Sequence, residues 1–300
     1  ADRHQAGREV RREKRMFFPR GRTLVRILVT GGGGFIGKNL ARALSKYHDV
    51  HAPSRAELDV CDKTSVERFL SGSRCDILLH CALARRGADE AERAAGLEKS
   101  FALLAGYCSR FEKIIYPGSG AEYCQSRSIR MASEDEIGRV VPESEYGLAK
   151  YRVNEIARRS VNIYNLRIFG CYGPGEDDRR FISHAIRCCL DGKPVTITQD
   201  RLFDFVYVDD LCAVVNSLIC GAPKYHDYNV VTGSPVKLSD VAWAAARILQ
   251  NKKGVVILKE GMNYDYTGSN ARLLNEFPDI RFTALERGIE KQAAAMLGGS

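Results

Sequence analysis

Apolar residues along the chain fall into short runs rich in β-branched side chains, separated by stretches in which they recur at helical spacing. Leu24 to Thr30 (LVRILVT) is the first such run. It enters a glycine-rich turn, and Phe35 to Tyr47 beyond it has the periodicity of an amphipathic helix. Val50 to Pro53, Leu58-Asp59-Val60 and Asp76 to Ala82 (DILLHCA) read as further strands, with a helix over Ser65 to Leu70. A long helix over Asp89 to Phe111 precedes a strand over Lys113 to Gly118 (KIIYPG); the helix of EYGLAKYRVNEIA and a strand over Ile163 to Phe169 follow. Strands and helices alternating at this length predict an α/β fold on a parallel, doubly wound sheet, with ligands at the carboxyl ends of the strands.

After Gly173-Pro174-Gly175 the alternation loosens. Helices are predicted over Phe181 to Leu190, Val208 to Cys220 and Val236 to Leu249, the last with Ser239 as its cap, and a short strand over Val195 to Thr198. The expected division is a nucleotide-binding domain over 23–170, its sheet completed by later segments, and a smaller substrate lobe over 171–300.

Composition narrows the class. In 300 residues, 45% hydrophobic, no apolar run approaches the roughly 20 residues that span a bilayer, so a cytoplasmic protein without membrane contact is expected. The ten cysteines are scattered, without Cys-x-x-Cys pairs or histidines at zinc spacing, and read as reduced, mostly buried thiols with no metal site. The net charge of +8 is concentrated in residues 1–22, where Arg3, Arg8, Arg11, Arg12, Lys14, Arg15, Arg20 and Arg22 face only Asp2, Glu9 and Glu13. That stretch reads as a basic, disordered tail or upstream extension ahead of Met16 rather than a nucleic-acid arm. An organelle presequence would be richer in serine.

Three features carry chemistry. Gly31, Gly34 and Gly37 form a Gly-x-x-Gly-x-x-Gly turn between a predicted strand and helix, which lets the backbone approach a pyrophosphate at the helix start. Tyr146 and Lys150 lie four residues apart, one helical turn, and a lysine so placed lowers the pKa of a phenol electrostatically. Ser119 follows a buried strand upstream of them. At the end of the second strand, where NAD sites usually place an acid, stand Ser54 and Arg55, a hydroxyl and a guanidinium suited to the 2′-phosphate of NADP(H). Glu57 and Asp59 follow closely and keep NAD(H) as the alternative.

These residues and their order resemble the extended short-chain dehydrogenase/reductase family, in its branch acting on nucleotide-activated sugars. The likeness runs from about residue 24 to 290 through TGGGGFIG (30–37), LDV (58–60), HCALA (80–84), SGAEY (119–123), YGLAK (146–150), LRIFGCYGPG (166–175) and FDFVYVDDL (203–211). The resemblance implies a Rossmann domain with a substrate-binding lobe, a nucleotide-sugar substrate and a homodimer. It further implies Tyr146 as the acid or base, Lys150 as its electrostatic partner on the nicotinamide ribose, and Ser119 on the reacting oxygen. Cofactor contacts would come from Gly31, Gly34, Phe35, Ile36 and Gly37, from Asp59 and Val60 at the adenine, from Cys81, Ala82 and Ala84, and from Phe169. Tyr207 would lie on the substrate side.

Departures from the family pattern narrow the reaction. Sugar dehydratases follow their active-site hydroxyl with Asp-Glu, whereas Gly120-Ala121 follow Ser119. Fucose synthases use a cysteine and a histidine to epimerise; His184 falls near that histidine, but Ala121 takes the cysteine position, with Cys124 only a neighbour. Phe203 stands where the family often has a diphosphate-gripping arginine, leaving Arg179, Arg180 or Arg201 for that contact, and Gly170 stands where an Asn often meets the substrate. NADPH-dependent reduction of a 4-keto-6-deoxy sugar is the leading expectation and a 4-epimerase its rival. A non-catalytic dinucleotide-sensing or RNA-binding relative is the rival from another class, disfavoured by the intact Ser119, Tyr146 and Lys150.

Overall fold

Burial on both faces of the first apolar run follows from its place inside the sheet, between two parallel neighbours. The computed structural model describes residues 24–83 and 89–298; the basic tail and Ala84 lie outside the described residues. In chain order the elements are β1 (Arg26–Thr30), α1 (Phe35–Leu44), β2 (Asp49–His51), α2 (Lys63–Gly72), β3 (Ile77–His80), α3 (Glu90–Ala105), β4 (Lys113–Ser119) and β5 (Ile129–Ala132). Next come α4 (Glu145–Arg158), β6 (Ile163–Ile168), β7 (Cys171–Tyr172), α5 (Phe181–Leu190), β8 (Val195–Asp200), β9 (Leu202–Phe203), β10 (Val206–Tyr207) and α6 (Val208–Cys220). The chain continues through β11 (Asp227–Val230), β12 (Val236–Lys237), α7 (Leu238–Ile248), β13 (Val255–Met262), β14 (Tyr266–Gly268), α8 (Ala271–Glu276) and α9 (Leu285–Gly298).

Six strands form one sheet in the order β11-β6-β4-β3-β1-β2, every adjacent pair parallel. After β2 is laid down on one side of β1, the chain crosses to place β3 on the other. That reversal opens a crevice between the carboxyl ends of β1 and β3, the usual ligand position in this Rossmann-type architecture. Two apolar layers cover the sheet. Leu40, Leu44, Leu211, Val214 and Leu218 of α1 and α6 pack on one face, and Val66, Leu70, Leu97, Phe101, Ala149 and Val153 of α2, α3 and α4 on the other. Val208–Cys220, grouped by sequence with the lobe, therefore lies beside α1 on the central sheet. Lys113 Nζ donates to the carbonyls of Leu218, Ile219 and Gly221 and so anchors the end of α6, where the helix dipole favours a cation.

The lobe has its own core, built from Ile182, Ile186, Val195, Ile197, Val241, Ala245 and Ile289. Small sheets flank it. β5 and β14 pair, β14 continues into β9 and β12, and β13 pairs with β8 across a register shift between Lys259 and Met262.

Three local expectations are corrected. Leu58-Asp59-Val60 forms no strand; Ser54 N–H donates to Glu57 Oε2 at 2.7 Å and Cys61 N–H to Asp59 Oδ1 at 3.0 Å. Side-chain carboxylates thus take up backbone donors that a strand ladder would need. The long helix ends at Ala105, capped at Gly106, and only a single 3-10 turn at Cys108–Arg110 follows. Ser239 lies inside α7 instead of capping it, and the Asp200 carboxylate on β8 accepts both Ser239 N–H at 3.1 Å and its hydroxyl at 2.6 Å.

Candidate active site

The glycine turn is shaped by contact with the next strand's exit. Gly31 sits at φ +72°, and a Cβ there would come 2.6 Å from the backbone of Ala82 and Cys81. A side chain at Gly37 would strike the Gly31 carbonyl, so the turn and the first helical turn press together. α1 begins at Phe35 behind its N-cap Gly34, with no side-chain cap and no acid in its first turn, leaving its backbone N–H groups open to an anion. Phe35 and Ile36 direct their side chains into the core layer beneath. Asn39 Nδ2 bonds the Pro174 carbonyl at 3.0 Å and ties α1 to the segment that starts the lobe.

Ser119, Tyr146 and Lys150 converge at the carboxyl end of β4. Ser144 caps α4 by accepting from Gly147 N–H at 3.1 Å, which places Tyr146 in the first turn and Lys150 one turn deeper. Lys150 is only 4% exposed; its Nζ donates to the Pro117 carbonyl at 2.8 Å and lies 5.9 Å from the Tyr146 ring centroid and 5.8 Å from that of Tyr116. A buried ammonium held by a carbonyl and two aromatic faces is a fixed positive charge. Its field reaches β3: enclosure pushes the Cys81 thiol up to about 12 while Lys150 opposes the shift, and burial together with Lys150 lowers His80 to about 3. Ser119 ends the strand as the cap of a short 3-10 turn, with Oγ accepting from Ala121 N–H at 3.1 Å.

The match to a family model described as "NAD dependent epimerase/dehydratase family" covers residues 27–230. The chain belongs to that family. Its members are NAD(P)-dependent epimerases, dehydratases and reductases of sugar nucleotides. Among curated relatives, CDP-abequose synthase of Salmonella typhimurium is 32% identical over 109 residues, 32% of this chain and 35% of the relative. UDP-glucuronate 4-epimerase 3 of Arabidopsis thaliana is 24% identical over 334 residues, 91% of this chain and 76% of the relative. Among solved structures, a GDP-L-fucose synthetase from Naegleria fowleri bound to NADP superposes with a TM-score of 0.82 at 16% identity, covering 94% of this chain and 97% of that one. The Bordetella bronchiseptica enzyme WbmG in complex with NAD gives 0.81 at 19% identity, covering 93% and 96%.

The glycine cradle and the uncapped start of α1 fit the pyrophosphate of this family's dinucleotide. Where the resemblance implies the adenine, the side chains hold one another: Arg55 donates to Asp59 Oδ2 at 3.0 and 3.2 Å, and Val60 packs into the core layer. An exposed i,i+4 pair of this kind is worth at most about 1 kcal/mol and opens readily to a competing phosphate.

Substrate-side expectations separate. Arg179 is ion-paired to Asp177 and Arg180 to Glu176, whereas the Arg201 guanidinium lies over the rings of Phe203 and Tyr266 at 5.4 and 5.6 Å with its buried Nε unpartnered. Tyr207 is buried in the lobe core against Tyr172 and Lys291, and His184 turns its Nε2 to Cys188 Sγ at 3.5 Å. Neither contacts Ser119, Tyr146 or Lys150 in these interactions. Phe169 is buried between Tyr123 and Tyr266.

Sequence reading missed two things. Glu122 is fully buried behind Ser119: Oε1 accepts Ser119 N–H at 2.9 Å, and Oε2 binds Arg167 Nε at 2.7 Å and Asn165 Nδ2 at 2.8 Å. Tyr266, from a three-residue strand with no legible pattern, brings its hydroxyl against Gly120, where a Cβ would lie 2.5 Å from it. A capping-box spacing, Ser119 to Glu122, was the one available sign of the first.

Proposed function

We propose that the protein reduces a nucleotide-activated 4-keto-6-deoxy sugar with NADPH, Tyr146 serving as proton donor. The observation that carries this over dehydration is the direction of Glu122, the acid nearest Ser119 in sequence, which is turned into Arg167 with neither group exposed. Gly120 and Ala121, the two residues that follow Ser119, contribute no acid or base for eliminating water, and the carboxylate that does reach the corner, Glu90, accepts Tyr146 N–H at 3.3 Å.

A nicotinamide dinucleotide bound on the glycine turn would supply hydride. Tyr146 would donate its proton to the sugar carbonyl oxygen, and Ser119 would hold that oxygen with a hydrogen bond. Lys150, fixed by the Pro117 carbonyl, would keep a positive charge beside the phenol as it gives up its proton. Arg201, resting on aromatic rings with an unpartnered Nε, is the arginine best placed to meet an anionic part of the substrate. Ser54 and Arg55 support NADPH once the surface pair with Asp59 opens.

A nucleotide-sugar 4-epimerase is the second reading, favoured by the carboxylate of Asp59, which suits ribose hydroxyls while Arg55 is engaged. Mixing purified protein with NADPH and a nucleotide-linked 4-keto-6-deoxy sugar separates the two. Stoichiometric loss of NADPH is expected, reduced at least about 100-fold in Tyr146→Phe with cofactor binding retained. Protein that carries tightly held NAD and isomerises sugar nucleotides without net consumption would overturn the reductase reading.

A further inference from the structure

We propose that Glu122 is a positioning residue for the reaction: its buried carboxylate holds the backbone of Ser119 in place against the helix that carries Tyr146 and Lys150. The inference rests on Ser119 acting at the reacting oxygen, a role common to the reductase and epimerase readings above.

Ser119 is the last residue of β4, paired with Ile168 where the ladder to β6 ends. Beyond it the strand no longer fixes the chain, and side chains do so instead. Ala121 N–H donates to Ser119 Oγ at 3.1 Å, and Ser119 N–H donates to Glu122 Oε1 at 2.9 Å. Two residues earlier the Pro117 carbonyl accepts Lys150 Nζ at 2.8 Å. The segment Pro117-Gly118-Ser119 is thus gripped at both ends, by an ammonium from α4 and by a carboxylate. Gly118 makes the room: a Cβ there would come 2.5 Å from Glu122 Oε1 and strike the Asn165 amide.

The other carboxylate oxygen carries the connection to α4. Glu122 Oε2 accepts Asn165 Nδ2 at 2.8 Å and Arg167 Nε at 2.7 Å, both from β6. The same Asn165 amide donates to Asn154 Oδ1 at 2.9 Å, and Asn154 stands one turn past Lys150 on α4. Arg167 donates in turn to Asp227 Oδ2 at 3.0 Å, the oxygen that accepts Arg158 from the end of α4 at 2.9 Å. Glu122, Asn154, Asn165 and Arg167 are all fully buried. Two routes of buried hydrogen bonds therefore run from the Ser119 amide to the helix of Tyr146 and Lys150. Such an ion pair is a poor source of stability, since apolar side chains of similar volume commonly do as well or better. What apolar side chains cannot do is aim two oxygens at three donors.

Arg167→Met/Glu122→Met separates positioning from stability. The full-length double variant is expected to resist denaturant better than Arg167→Met alone, yet to keep a kcat about tenfold below wild type, the equivalent of one lost hydrogen bond to a charged group. KM for NADPH should stay unchanged, because the glycine turn is untouched. In a Ser119→Ala background the two substitutions should lower kcat no further, since the serine is the carboxylate's route to the reaction. A kcat that returns with stability, or an equal loss without the serine hydroxyl, would overturn the proposal. The reaction scored is the one that wild type performs: wild type that isomerises a sugar nucleotide without consuming NADPH removes the reductase reading, and the variants are then compared in isomerisation. Glu122→Asp gives a readout without turnover, keeping a carboxylate beside Arg167 but one methylene short of Ser119 N–H. With serine labelled at the amide nitrogen, the Ser119 amide proton, assigned by its disappearance in Ser119→Ala, should lose the downfield shift of a donor to a carboxylate. A resonance that stays in place sinks the contact whatever the activity.

Discussion

At the scale of single residues, the groups around the site are held in protonation states that burial selects. His80 ends β3 with Nδ1 2.8 Å from Thr30 Oγ1 and Nε2 3.4 Å from Ser100 Oγ, an uncharged ring between two hydroxyls. Burial first and Lys150 second lower its pKa from 6.5 to about 3. The unfolded chain therefore takes up a proton near 6.5 that the folded chain refuses until about 3, so His80 removes stability as pH falls through that window. The slope approaches about 1.4 kcal/mol per pH unit. Urea unfolding at about pH 7 and about pH 5 should show His80→Asn losing roughly 2 kcal/mol less than wild type between the two. An identical loss in both proteins would mean that the ring is already charged or solvated.

At the scale of elements, the two departures from the family pattern on the substrate side are one packing event. A Cβ at Gly170, just past β6, would lie 2.5 Å from the Phe203 ring and 2.9 Å from the Asp204 carbonyl. The phenylalanine that replaces an arginine on β9 thus occupies the space that an asparagine at 170 would need. Gly170→Asn should cost about 1–3 kcal/mol as overpacking, with part of it recovered in Gly170→Asn/Phe203→Ala; a denaturant double-mutant cycle checks the coupling. Additive costs would show that the ring is not the obstacle. The same elements show what sequence can carry. Helices α5 and α6 begin and end where periodicity places them, because each presents one apolar stripe to a core. Ser119, Tyr146, Lys150 and the glycine turn were legible because their spacing fits a strand exit or a helical turn. Asp59 misled because its carboxylate bonds local backbone and Arg55 instead of letting a strand form. Tyr266 was silent because its position depends on pairing with residues far away in sequence.

At the scale of the molecule, a buried ionic network joins the end of β4, which carries Ser119, to the C-terminal region. Arg167 on β6 is unexposed and binds Glu122 behind Ser119 and Asp227 on β11. Asp227 also receives Arg158 from the end of α4 and Arg272 from α8, and Arg272 reaches Asp135. Burial works against the charges of Asp227 and Arg167, yet the arginines lower the pKa of Asp227 and the acids raise that of Arg167. Arg167→Met should cost about 3–5 kcal/mol, because it leaves Glu122 and Asp227 buried beside an apolar chain; Arg167→Met/Glu122→Met should cost less than the single change. Chemical denaturation of the three proteins tests this, and a double variant weaker than the single one would contradict it. The far end of the molecule faces a different hazard. β13 pairs with β8 alone among the described residues, with Val256, Ile257 and Leu258 exposed along it. An open strand with that much apolar surface is a template for a neighbouring chain to add to. The register shift after Lys259 bends the strand, and Lys259 and Glu260 put opposite charges where a straight intruder would have to lie. Lys259, Glu260 and Gly261, at the register shift of that strand, are thus the residues that blunt its open edge against strand addition.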